Sequence, residues 1–415
     1  MGRGAVALRD ARLRALHLVR WTAIALPVGV VAGLLSASFL WSLDRATEWR
    51  GAREWTVWLL PLAGLVVGWT YHRLGRGLER GSSLVIERMH DHASPIPFRL
   101  VPLIFGTSVV SHLAGASVGR EGAALQLAAG AADPLGRGLR FGVADRSLLV
   151  VTAVAAGFGS VFGAPIAGAV FALEVQRAGR VRYEALVPAF CASIVGDATV
   201  RGLGIEHTGW PVLVPADWSA GLVLRVAVLG LVAGLVALTF TAIVHAVRDV
   251  LARFVSWYPA RPLSAGVLLA VVILATDWRD YQGLSIPLAV EAMNGSTAGM
   301  WHVKFALSAL SIGAGFTGGE VIPLVVVGAL LGAVVGSRIG IDPGLAAALG
   351  AVAVLAGAAN TPLACTILGL ELFGGNGVAL LALACVAAYA ASGRTGIYTA
   401  QRVSAPKDGY QSPKS

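Results

Sequence analysis

The sequence predicts an all-α membrane protein made of two similar halves, with some helices broken or re-entrant. Three observations carry this: an apolar composition, apolar blocks of bilayer-spanning length, and a set of motifs that occurs twice. Of 415 residues, 56% are hydrophobic and only 13% charged, and mean hydropathy is +0.74. Soluble globular chains do not reach such values.

Along the chain, residues 1–20 read "MGRGAVALRDARLRALHLVR" and carry five arginines. They predict an amphipathic helix on the cytoplasmic surface, and without a continuous apolar core and small-residue cleavage site they do not read as a signal peptide. Apolar blocks follow at 21–43, 55–70, 148–173, 220–244, 262–276 and 321–336, several near the ~20 residues that cross a bilayer. Shorter, glycine-broken blocks at 98–118, 123–132, 363–373 and 378–391 predict part-way helices, whose irregular ends must face protein or a water-filled cavity. The membrane domain is thus expected over 21–402, with a first half at about 21–205, a second at about 215–402, and a disordered polar tail at 403–415.

The net charge of +9 excludes little by itself, but the basic residues sit in flanks and loops between apolar blocks. That distribution fits a membrane surface and not a nucleic-acid partner. By the positive-inside rule both termini are expected in the cytoplasm, with the chain multi-pass in the cell (inner) membrane. Cys191, Cys365 and Cys385 fall in apolar segments without metal or redox spacing and read as core residues.

The chain resembles itself. "GASVGREGAALQLAAG" contains Gly119, Arg120 and Glu121, and "AGFTGGEVIPLVVVGA" contains Gly318, Gly319 and Glu320. Pro165 precedes Glu174 by nine residues, as Pro362 precedes Glu371. The offsets between halves are 199 for Glu121 to Glu320 and 197 for both other pairs. Such duplicated halves are often inverted in transporters, with broken helices aimed at a substrate near the midplane. Helix starts suit an anion, because their first N–H groups lack intrahelical partners and carry partial positive charge. Prolines at 165, 323 and 362 suit a first helical turn. Any single glycine is more readily explained by close helix packing, but packing does not require glutamates beside the glycines.

A carboxylate at membrane depth costs roughly 2.5–3.5 kcal/mol on insertion scales and faces a cavity or partner. Glu121 and Glu320 therefore read as gating or proton-transfer groups that compete with an anion for helix-start N–H donors. Glu174 and Glu371 end apolar helices, where the dipole disfavours acid, and read as structural or interfacial. His112 reads as a hydrogen-bonded core residue. Tyr398 reads either as an interfacial aromatic or as a hydroxyl donor to an anion.

With these residues in hand, the chain resembles the CLC family of anion channels and anion/proton antiporters, through "GREGAALQ", "FGAPIAGAVFALE", "GGEVIPL" and "GIYTAQ". The resemblance implies an inverted-repeat CLC-type bundle, a homodimer with one ion path per chain. It makes Glu121 the gating glutamate and Tyr398 the central tyrosine, and puts the N–H groups of Glu320 and Val321 in the central anion site. "GSSLVIE" stands at the filter loop, so Gly81, Ser82 and Ser83 join Gly119, Arg120, Gly318 and Gly319 as candidate anion-binding residues.

Glutamate in the second glycine loop is most like the fluoride/proton antiporter branch. Val175 stands where chloride/proton antiporters often carry an inner glutamate. Ser82, Ile322 and Val85 with Val326 depart from the fluoride pattern of filter methionine or asparagine, loop threonine and path-lining phenylalanine. The leading expectation is a proton-coupled fluoride exporter, with a chloride/proton antiporter or passive anion channel as the alternative. Its partners would be fluoride or chloride, protons and membrane lipid. With no HExxH or GxSxG arrangement, the sequence does not read as an enzyme and calls for no cofactor or metal.

Overall fold

A computed structural model of the chain describes residues 3–90, 95–213 and 217–403. The polar tail beyond 403 and the expected start of the second half near 215 lie outside the described residues. The first half holds α1 (Arg3–Gly51), α2 (Leu59–Leu74), α3 (Ser82–His90), α4 (Leu100–Ala114), α5 (Glu121–Gly138), α6 (Val143–Phe162), α7 (Pro165–Glu174) and α8 (Leu186–Gly202). The second holds α9 (Ala220–Phe254), α10 (Ala260–Thr276), α11 (Ile286–Met293), α12 (Trp301–Ala314), α13 (Val321–Ile339), α14 (Pro343–Ala359), α15 (Pro362–Phe373) and α16 (Val378–Ala391). Eight helices repeat in order, so α4 corresponds to α12, α5 to α13 and α7 to α15.

Local chemistry sets the boundaries. Proline opens α14 and α15 as it opens α7, where its missing N–H would be unpaired anyway. The Asp342 carboxylate accepts from Leu345 N at 2.9 Å at the start of α14. Glycines in the left-handed region end α4 (Gly115, φ +85°) and α12 (Gly315, φ +100°). Among the described residues, five helices are long and apolar enough to cross a membrane, and six shorter apolar helices include α4, α7, α15 and α16.

Two predicted boundaries differ. The block 148–173 is split by Gly163 (φ +71°) into α6 and α7. Residues 3–20 are continuous with the first span, since α1 runs 49 residues without a break at Trp21; most side chains before residue 15 lie outside the described residues. No proline or glycine stands at the junction to break the helix.

Small residues let the helices close on one another. Cβ atoms at Gly29 and Gly33 would lie 2.6 Å from the carbonyl oxygens of Ala192 and Gly196, fitting α1 against α8. Gly230 and Gly234 do the same for α9, 2.7 and 2.3 Å from the carbonyl oxygens of Ala384 and Ala388 on α16. Without water to drive association, such small-residue contacts are how membrane helices gain packing energy.

The halves are inverted. Arg20 on α1 donates to Asp145 at 2.5 Å, Arg182 donates to Ser147 at 2.7 Å, and Arg177 pairs with Arg402 between two parallel two-residue strands. Both ends of the described chain therefore lie at one face, the terminal face. The opposite, far face holds Glu54 with Arg279 (2.5 Å). Helix α4 starts at the terminal face, where Arg99 donates to Arg76 O, and ends at the far face, where Gly115 O accepts from Gly283 N at 3.1 Å. Helix α12 runs the other way, from Tyr281 at the far face toward Tyr258 near the terminal face.

Candidate functional site

The two glycine-rich loops meet in the middle of the molecule. Gly119 and Gly319 each donate N–H to the other's carbonyl at 2.6 Å, an antiparallel bridge between the halves. Each loop is also held by a serine of the opposite half. Ser117 N donates to Ser311 Oγ at 3.2 Å, and Thr317 N donates to Ser111 Oγ at 3.2 Å. A Cβ at Gly319 would lie 2.5 Å from Gly122 N, so only glycine allows this approach.

Glu121 is the first residue of α5 and is fully buried. Its carboxylate crosses the bridge: Oε2 accepts from Arg120 N (3.1 Å) and from Ile322 N (3.4 Å), and Oε1 from Arg120 Nε (3.4 Å). It thus sits on the N-terminal turn of α13, where orphan N–H groups favour negative charge. The long Ile322 bond is one a small anion could replace. Arg120 is held in turn, donating to Thr208 Oγ1 at 3.0 Å.

Glu320 does not have the geometry of Glu121. The bridge sets the repeat offset at 200, so Glu320 is the N-cap of α13 and the counterpart of Arg120, the N-cap of α5. One helix position turns a side chain by about 100°, and Glu320 points elsewhere. It lines a cavity of about 210 Å³ with Glu79, Arg80, Ser82, Gln126 and Tyr258. The position of Glu79 after α2 opens this cavity toward the terminal face. Glu320 Oε2, Ser82 Oγ and Gln126 Oε1 are buried there without a partner among the described residues, a set of atoms that calls for water or an ion. A second cavity, of about 420 Å³, lies at the far face and is lined by Asp44, Arg50, Glu54, Arg120 and Thr208. The bridge between the loops lies between the two.

The remaining predicted anion-binding residues take different parts. Ser83 Oγ accepts from Thr399 N (3.1 Å) and fastens the segment after α16, leaving Ser82 as the free hydroxyl. Gly81 takes φ +54° to turn the chain into α3. The N–H groups of Gly119 and Gly319 are taken up by each other. Gly318 packs on Val118, where a Cβ would lie 2.5 Å from Val118 Cγ2. At α13 the donor that meets Glu121 is Ile322, one residue beyond Val321. Tyr398 is buried with its hydroxyl unpartnered among the described residues, and its ring meets the edge of Phe171, which stacks on Phe158 at 4.2 Å. Sequence reasoning missed Gln126, though it lies inside the quoted motif "GREGAALQ"; a polar amide in the otherwise apolar stretch 122–132 was the available signal.

Glu174 and Glu371 have a structural role that the repeat explains. Helices α7 and α15 are antiparallel, so each glutamate reaches the other's N-terminus. Glu174 accepts from Leu363 N (3.2 Å) and Ala364 N (2.8 Å), and Glu371 accepts from Ile166 N (3.0 Å) and Ala167 N (2.7 Å). His112 is buried, with Nδ1 at 2.8 Å from Ser108 O.

The voltage gated chloride channel profile matches residues 63–393, the span that contains both loops and both swapped glutamates. The chain belongs to the CLC family. A chloride/fluoride channel protein of Pseudomonas syringae pv. tomato is 43% identical over 397 residues, covering 93% of this chain and 87% of that protein. Among solved structures, a CLC-type fluoride/proton antiporter superposes with TM-score 0.90 at 30% identity, over 93% of this CLC chain and 98% of the other. A slow cyanobacterial Cl-/H+ antiporter shares the fold, with TM-score 0.77 at 18% identity over 92% of this chain and 96% of that one.

Proposed function

We propose that this CLC protein is a proton-coupled anion antiporter that exports fluoride in exchange for protons. The observation that carries the reading is the placement of two carboxylates on either side of the Gly119/Gly319 bridge. Glu121 occupies a helix-start anion seat beside the far-face cavity, and Glu320 borders the terminal-face cavity. An anion and the Glu121 carboxylate compete for the Ile322 N–H. Protonation removes the negative charge of Glu121 and frees that seat, so a proton is loaded as an anion enters. Glu320, with Ser82 and Gln126, passes the proton to the terminal-face cavity.

Fluoride is supported by the relatives: the similar Pseudomonas protein is named for chloride and fluoride, and the structure similar at 30% identity is a fluoride/proton antiporter. Val175 favours a second reading, a passive channel, because no inner carboxylate follows Glu174. Arginines gather at the terminal face (Arg73, Arg76, Arg140, Arg177, Arg180), which supports a cytoplasmic terminal face in the cell membrane. The proposal is of a transporter and not an enzyme, assembled as a homodimer in lipid, without a cofactor.

Anion fluxes from liposomes, compared in fluoride and chloride for the wild type and Glu320→Ala, test the reading. Faster fluoride flux in the wild type, with proton coupling lost in Glu320→Ala, is expected. Chloride flux equal to or above fluoride flux would make it a chloride transporter, and fluoride flux without protons would make it a channel.

A further inference from the structure

Lys304 on α12 is completely buried, with 0% of its surface exposed. Its Nζ lies within hydrogen-bond reach of Gly283 O (2.6 Å), Ser117 Oγ (2.8 Å), Ser285 Oγ (3.0 Å) and Tyr281 O (3.2 Å). All four acceptors are neutral, and the ion pairs among the described residues include none to Lys304. A buried ammonium is normally compensated by a carboxylate, since desolvation costs it several kcal/mol. A charge that flanks this pocket is of the same sign. An added Cβ on Gly283 would lie 2.8 Å from Arg50 Nη2, so Arg50 and Lys304 flank the same glycine. Arg50 Nε is itself buried without a hydrogen-bond partner among the described residues, and Arg50 lines the far-face cavity with Arg120. Asp44, Glu54 and Asp280 line that cavity too, but none is hydrogen-bonded to Lys304.

The acceptors of Lys304 belong to the first glycine loop and its support. Ser117 lies two residues before Gly119 and shares a hydrogen bond with Ser308 Oγ at 2.8 Å. Gly283 N donates to Gly115 O at 3.1 Å at the end of α4. One buried lysine nitrogen therefore grips both the loop that presents Glu121 and the segment that backs it.

We infer that Lys304, assisted by Arg50, is a positioning residue that holds a small hard anion on the far-face side of the Gly119/Gly319 bridge. It acts through Ser117 and the 281–285 segment. The inference needs an anion path, which it shares with the proposed antiport, but not proton coupling.

The test is the anion-concentration dependence of flux in liposomes, for the wild type, Lys304→Met, Arg50→Gln and Ser117→Ala, with proton movement recorded separately. Lys304→Met is expected to raise the half-saturating fluoride concentration roughly tenfold, the scale of one charge acting through a protein interior. Arg50→Gln and Ser117→Ala should raise it by smaller factors. They carry the test if Lys304→Met is not monodisperse, because neither empties the Lys304 pocket. Unchanged half-saturation in all folded variants, with only the maximal rate reduced, would overturn the inference and leave Lys304 a packing residue. If the wild type moves anions without protons, the antiport reading falls while the half-saturation shift still decides this one.

Discussion

Glu121 and Glu320 stood out in the sequence because each is a lone carboxylate between glycines and an apolar helix, and both border the site. Their roles were less legible. Matching identical letters gave an offset of 199, whereas the backbone bridge pairs residues 200 apart and makes Glu320 the counterpart of Arg120. Chain spacing could not show this, because the register is fixed by hydrogen bonds between halves. Nor could it show that Glu121 crosses to Ile322, since that contact joins residues 201 apart. At this scale Gly122→Ala is a sharp probe: its Cβ would lie 2.9 Å from both Ser82 Oγ and Gly319 Cα and 3.0 Å from Glu320 Oε2. We expect it to fold, as judged by gel filtration, and to lose most ion flux. Glu320→Gln keeps the shape but removes the titratable oxygen. Proton flux should fall about tenfold or more relative to anion flux, the scale of losing one proton-transfer group. An unchanged ratio in a liposome assay would remove Glu320 from the proton route.

The short helices were legible as elements because glycine and proline punctuate them, as at Gly163 and Pro165. Their partnership was not. A glutamate at the C-terminal end of an apolar helix looks unfavourable against its own dipole, but α7 and α15 are antiparallel and each carboxylate meets the other's N-terminus. Tertiary packing reverses the local expectation. Glu371→Gln keeps the side chain's size but weakens two bonds to helix-start N–H groups. It should destabilise the protein by about 1–2 kcal/mol and lower the thermal unfolding midpoint in detergent by a few degrees. A midpoint equal to the wild type would show that the exchange of caps contributes nothing. Ser311→Ala leaves the Ser117 N–H without its acceptor. It should cost a similar amount, about 1–2 kcal/mol, in the same assay.

On the scale of the whole molecule, composition and the duplicated motifs were enough for the class and the duplication, because both are properties of the chain's pattern, while the inversion of the halves came from the family resemblance. The two opposed cavities were not visible there, since each is lined from both halves: Gln126 and Arg248 meet at one, Arg120 and Arg279 at the other. The arrangement predicts sidedness. In a Cys191→Ala background, a cysteine at Thr317 should react with a membrane-impermeant thiol reagent applied to the terminal face only, and one at Thr208 to the far face only. Equal reaction from both sides would mean that the bridge does not separate the cavities. The central claim is coupling between the anion seat held by Glu121 and proton movement. The most direct measurement loads liposomes with fluoride, sets no initial pH gradient and follows internal pH. The wild type should drive protons inward as fluoride leaves, and Glu121→Gln should not. Fluoride efflux without proton entry in the wild type, or undiminished proton entry in Glu121→Gln, would contradict the account.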